Sequence, residues 1–103
     1  MPNKLPYKIS SKARKDLQNI FEYISDVLLN PSAAIKIMDE FDSAFDHISY
    51  FPECCPLIEN KYVKSDGLRK IMVKKYIAFY RINDNAIQIV RVLYGMSNYY
   101  KHL

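Results

Sequence analysis

The residues of this chain best suited to chemistry lie in one run, GLRKIMVKKYIAFYRI at 67–82. Arg69, Lys70, Lys74, Lys75 and Arg81 are cations set among residues that favour strands. Guanidinium and ammonium groups aimed out of a small sheet suit recognition of phosphates or carboxylates. They also keep an apolar hairpin in solution, so the run by itself has two readings. Aromatic residues interleave with the charges: Tyr76, Phe79 and Tyr80, then Tyr94, Tyr99 and Tyr100. Such rings stack on bases or fill a sheet core, and core packing is the expectation for Phe79 and Tyr80.

Other reactive groups are few. Cys54 and Cys55 are adjacent in a proline-flanked stretch, FPECCP. Neighbouring cysteines bridge only with strain, and there is no second pair to build a staple or a zinc site. They are read as two reduced thiols. His47 stands beside Asp46 in an acidic segment and reads as a surface residue. His102 is one residue from the end of the sequence, a poor place for precise proton transfer. There is no P-loop, dinucleotide fingerprint, nucleophile elbow or HExxH. No metal and no cofactor are expected.

The 103 residues make one domain, 1–103, with room for a single core. Half are hydrophobic and a quarter charged, a globular balance, and two glycines leave few strained turns. No apolar stretch approaches the roughly 20 residues of a membrane span, and MPNKLPYKIS lacks an apolar signal region. The expectation is a cytoplasmic protein with no membrane partner. Charge is divided unevenly. Residues 1–60 hold six Lys/Arg against nine Asp/Glu, and residues 61–103 hold nine against two. The C-terminal half is therefore expected to present a positive face to an acidic partner.

The elements that must position these groups are legible as periods. Tyr7-Lys8-Ile9 reads as a short extended piece, able to join a sheet at its edge. Ser10 or Ser11 can cap a helix near 11–29, whose stripe is Ala13, Leu17, Ile20, Phe21, Ile24 and Leu28. Asn30-Pro31 breaks and restarts the chain. A second helix near 31–50 carries Ala34, Ile37, Met38, Phe41, Ala44, Phe45 and Ile48 on one side. Strands are predicted at about 68–74, 76–82 and 86–93, the last two joined by Asn83-Asp84-Asn85. The predicted class is α+β: an antiparallel helical hairpin packed on a small, mostly antiparallel sheet of three to four strands. Ile20, Ile24, Phe41, Phe45, Val73, Phe79, Ile89 and Val92 should be largely buried, with Leu17 and Ile37 as further core positions.

The order of these pieces resembles a known superfamily. Ser10, Lys12-Ala13, Lys15-Asp16-Leu17, Ile20 and Tyr23-Ile24 open the pattern. Ile48 with Phe51-Pro52 closes the second helix, and GLRKIMVKKYIAFYRI and IQIVRVLYG (87–95) follow. This ordered set is similar to the RelE/ParE superfamily of toxins from type II toxin–antitoxin systems, the plasmid stabilisation proteins, over about Tyr7 to Tyr100. The resemblance implies a growth-inhibiting toxin with two helices on a small antiparallel sheet, neutralised by a cognate antitoxin. Antitoxins of these systems resemble short acidic and apolar segments that order on binding.

Two activities are implied by the superfamily. Members of the RelE type cleave mRNA in the ribosomal A site, using sheet Lys and Arg and a C-terminal Tyr or His. Members of the ParE type have a longer helical hairpin and poison DNA gyrase. In this chain Arg69 and Lys70 match the basic residues of the first long strand. Tyr76-Ile77 stands where the cleaving pattern has Tyr-Arg, and Met96-Ser97 where it has Arg or His. The resemblance therefore sits closer to the ParE side, with gyrase as the implied target and Arg69, Lys70, Lys74, Lys75 and Arg81 as implied target-binding residues. The alternative is a ribosome-dependent mRNA endonuclease. Its implied catalytic residues would be Arg69 and Arg81 as phosphate-binding cations and Tyr99 as the proton-handling group.

Overall fold

A computed structural model describes residues 4–58 and 67–95. The elements run β1 (Tyr7–Ile9), α1 (Ser11–Glu22), a π-helical turn (Tyr23–Val27), α2 (Pro31–Tyr50), β2 (Arg69–Val73), β3 (Tyr76–Asn83) and β4 (Ala86–Tyr94). The sheet order is β1-β4-β3-β2. β2–β3 and β3–β4 are antiparallel hairpins, and β1 lies parallel to β4 at the edge. The fold is the α+β class expected, a helical hairpin on a mostly antiparallel sheet of four strands. Among the described residues no helix is long and apolar enough to cross a membrane.

Local chemistry explains the boundaries. Ser10 Oγ accepts from the Ala13 amide at 3.0 Å, capping α1, and donates to the Val90 carbonyl at 2.8 Å. Val90 is the extra residue where β4 bulges: Phe79 pairs with Arg91 and Tyr80 with Ile89. One hydroxyl thus ties the start of the helical hairpin to the bulge. Asn30 Oδ1 accepts from the Ala33 amide at 3.2 Å, and Pro31 takes the first helical position, as its missing amide allows.

The main core lies between the helices and one face of the sheet. It contains Ala13, Ile37, Phe41, Phe45, Ile48, Val73, Ala78, Tyr80, Ile87, Ile89 and Val92. A smaller cluster, Ile58, Leu68, Ile77 and Phe79 with Val90 and Leu93 against it, occupies the other face. Phe41, Phe45, Val73, Phe79, Ile89, Val92 and Ile37 are buried as expected. Ile20 and Ile24, expected to be buried, are only half so, as is Leu17. The reason is placement: α1 runs along the β4 edge, and only Ala13 of that helix is fully covered.

The helix predicted near 11–29 ends differently from its sequence pattern. After Glu22 the Leu28 amide bonds to the Tyr23 carbonyl at 3.0 Å, a spacing of five residues. A π-turn holds an extra residue, so side chains beyond it rotate off the 3.6-residue stripe. Leu28, expected on that stripe, is 55% exposed, and Leu29 follows at φ 54° and 81% exposed.

The β2–β3 hairpin turns on Lys74-Lys75, with Lys74 at φ 54°. That first position of a two-residue turn favours glycine when its φ is positive. Lys74 Nζ stands 3.7 Å from Glu40 Oε1, a surface pair of little worth. Lys74→Gly should raise stability by about 0.5–1 kcal/mol, the relieved left-handed strain exceeding the added freedom of the unfolded chain. Thermal denaturation monitored by circular dichroism checks this; a lower midpoint would show that the lysine is not strained there.

Candidate functional site

Strand alternation sorts the five sequence-predicted cations into three places. Arg69 pairs with Tyr80 and shares the helix-covered face with Ile71 and Val73. Its Nη1 donates to the Cys55 carbonyl at 2.6 Å. Lys70 pairs with Phe79 on the opposite face. Arg81, two residues beyond Phe79, is on that same face and pairs with Gln88. Lys74 and Lys75 sit at the hairpin turn, several residues along the strands from Arg81. The structure brings Lys70 and Arg81 together as diagonal neighbours and separates them from Arg69, Lys74 and Lys75. Tyr99 lies outside the described residues.

The sheet face opposite the helices gains a cation that counting charge by halves of the chain overlooked. Lys8 pairs with Gln88, which pairs with Arg81, so Lys8, Gln88 and Arg81 form a row across three strands. Tyr7 and Ile9 pack on the main core, leaving Lys8 to the other side. The alternation of YKI carried this signal; what was missing was the parallel pairing to β4. Arg81 Nε is buried and makes no hydrogen bond among the described residues. Such an unmade bond at a buried guanidinium nitrogen calls for a reason. The face is therefore a cationic rim of Lys8, Lys70 and Arg81 around Ile77, Phe79, Val90 and Leu93.

Arg91, the remaining described cation of β4, is committed to structure. Its Nε and Nη2 donate to the Asp16 carboxylate at 2.7 and 2.9 Å, and the Val92 amide donates to the same carboxylate at 3.0 Å. β1 stops at Ile9, so Asp16 supplies the acceptor that the β4 edge would otherwise lack. The ion pair holds the guanidinium above its ordinary pKa.

A second site lies at the hairpin end. Asn19, Ile20, Tyr23, Leu28, Lys75, Tyr76 and Tyr94 line a groove of about 530 Å³. Tyr76 packs on Phe41 at 5.9 Å between ring centroids and edge-on to Tyr94 at 5.9 Å. Burial, then the neighbouring Tyr94 and Tyr23, pushes the Tyr76 phenol up from its ordinary pKa, so it stays a neutral hydrogen-bonding group. Beside the groove's Tyr23 and Leu28 the chain carries an apolar crest: Tyr23, Val27, Leu28 and Leu29 are each more than half exposed. Exposed apolar side chains gathered in this way mark an interaction surface.

No curated protein matches the sequence. The chain does match the family described as the ParE toxin of the type II toxin–antitoxin system parDE, over residues 7–99. Two solved structures share the fold. One is the chromosomal ParDE toxin–antitoxin system from P. aeruginosa, with TM-score 0.70 and 20% identity over 88% of this chain and 96% of that one. The other is the toxin–antitoxin complex RelBE2 from Mycobacterium tuberculosis, with TM-score 0.62 and 19% identity over 89% and 99%. At such identities the likeness is one of fold.

Proposed function

Because the chain belongs to the ParE toxin family of type II toxin–antitoxin systems, we propose that it inhibits growth by binding DNA gyrase and is held inactive by a cognate antitoxin. The observation that carries the choice of target is Ile77. The mRNA-cleaving pattern that the sequence resembles needs an arginine there, beside the scissile phosphate. Ile77 is 4% exposed and packed with Leu68 and Phe79, so the position holds a buried apolar side chain and no charge. Of the two implied phosphate ligands, Arg69 faces the helix side and is held by the Cys55 carbonyl, while Arg81 lies on the opposite face, so the two do not converge. Phosphodiester cleavage needs a proton-moving group and cations converging on one phosphate. Lys8, Lys70 and Arg81 around an apolar floor suit adhesion to an acidic surface better than such convergence.

The antitoxin is assigned to the apolar crest and tyrosine groove. Leu29 in a left-handed conformation and the π-turn before it are costly local features that persist to hold apolar side chains outward. An acidic and apolar segment ordering on this surface would bury Leu28 and Leu29 and reach Lys75.

Two assays on one preparation separate the targets. Supercoiling by gyrase is expected to slow while mRNA on translating ribosomes stays intact. Codon-positioned cuts with unimpeded supercoiling would overturn the proposal in favour of the endonuclease.

A further inference from the structure

The Cys54–Cys55 pair takes no part in either binding face. Both thiols are free, Cys54 exposed and Cys55 half-buried, and their Sγ atoms stand 3.3 Å apart. The loop that carries them is anchored on both sides. Tyr80, itself fully buried, donates its hydroxyl to the Pro52 carbonyl at 2.9 Å. On the other side Leu57 bridges to Arg69, and the Ile58 amide donates to the Leu68 carbonyl at 2.8 Å. Any rearrangement of the two cysteines therefore falls on residues 53–56. Within that stretch the Cys55 carbonyl is the acceptor for the Arg69 guanidinium.

We propose that Cys54 and Cys55 form a reversible dithiol–disulfide site that closes by exchange with a low-molecular-weight disulfide and loosens Arg69 when it closes. The Cys54 thiolate attacks one sulfur of the small disulfide, forming a mixed disulfide and releasing one thiolate. The Cys55 thiolate then attacks the Cys54 sulfur, forming the intrachain bond and releasing the second. Two protein thiols are oxidised, one small disulfide is reduced to two thiols, and the two protons given up by the cysteines pass to the departing thiolates.

Geometry favours closure and also limits it. The sulfur atoms must approach from 3.3 Å to about 2.05 Å, a movement within reach of side-chain rotation. Adjacent Cα atoms are only about 3.8 Å apart, shorter than the usual lower bound of about 4.4 Å for a disulfide. The ring is therefore strained, and strained disulfides are the readily reduced ones. Strain centred on the 54–55 peptide lies next to the carbonyl that holds Arg69. Desolvation, and then contact with Cys55, holds the Cys54 thiol above its ordinary pKa, so exchange should quicken as the pH rises.

The test uses the full chain in glutathione buffers of rising oxidised fraction, at mildly alkaline pH. The expected product is lighter by two hydrogens, carries no glutathione, maps to the peptide containing Cys54 and Cys55, and reverts in dithiothreitol. Cys55→Ser should instead retain one glutathione on Cys54. An unchanged mass at the most oxidising ratio, or a stable glutathione adduct on the unsubstituted chain, overturns the site. For the coupling, phenylglyoxal should modify Arg69 several-fold faster in the oxidised chain while Arg91 reacts at an unchanged rate. Equal Arg69 rates, or a matching rise at Arg91 that reports general unfolding, overturn the link to Arg69.

Discussion

Asp16→Ala is expected to lower the thermal midpoint by roughly 12–20 °C, corresponding to about 3 kcal/mol in a domain of this size. The α1 carboxylate serves three donors on β4, 75 and 76 residues along the chain: Arg91 Nε, Arg91 Nη2 and the Val92 amide. The side chains of Arg91 and Asp16 are 18% and 11% exposed, so water replaces little of what is removed. Removing one partner of such a pair costs more than the pair contributes, because a desolvated charge stays behind. Joint replacement of Asp16 and Arg91 by leucine should therefore recover part of the loss, an excess over additivity that a double-mutant cycle measures. Asp16→Asn should fall between, since one amide oxygen can still accept from Val92. A midpoint within a few degrees of the parent for Asp16→Ala would mean that solvent enters this edge of the sheet.

Asp16 also shows where reading the sequence stopped. Its helix was legible from Ala13, Leu17, Ile20 and Ile24, and its cap from Ser10. Within that pattern an aspartate looks like any solvated carboxylate. Its role comes from β1 ending early and leaving a β4 amide to be satisfied, which is a property of the pairing. The strands were predicted to within about a residue because β-branched and aromatic residues run together there and Asn83-Asp84-Asn85 separates the last two. The turn at Lys74-Lys75 carries no such signal, and the pattern places Lys74 in the strand before it. The cationic site was half legible. Alternation alone places Arg69 and Lys70 on opposite faces, so the run could not present one continuous positive face. Adding Lys8 required knowing that β1 lies parallel to β4. Leu28 fits the helical stripe by spacing, and only the π-turn, a single inserted residue stabilised by tertiary packing, turns it to the surface.

That turned-out crest gives the second large effect, on antitoxin binding. Tyr23→Ala and Leu28→Ser should each weaken the complex with the cognate antitoxin about 30-fold, near 2 kcal/mol, if these side chains are the buried anchors of the interface. Tyr23 is 51% and Leu28 55% exposed in the free chain, and both line the groove with Tyr76 and Tyr94. A partner covering them removes apolar surface that folding leaves in water, and such surface is worth about 25 cal/mol per Å². Stability of the free chain should change by no more than about 0.5 kcal/mol, because neither side chain is buried there. Binding and stability therefore separate, which general damage to the fold would not allow. The affinity loss should persist at high salt, since the contact is apolar, whereas the contribution of Lys75 at the same groove should fade as salt screens it. Isothermal titration at two ionic strengths, with thermal melts of each variant, makes the comparison. Unchanged affinity in both variants would move the antitoxin off the crest and leave the strained Leu29 conformation to be explained by another partner.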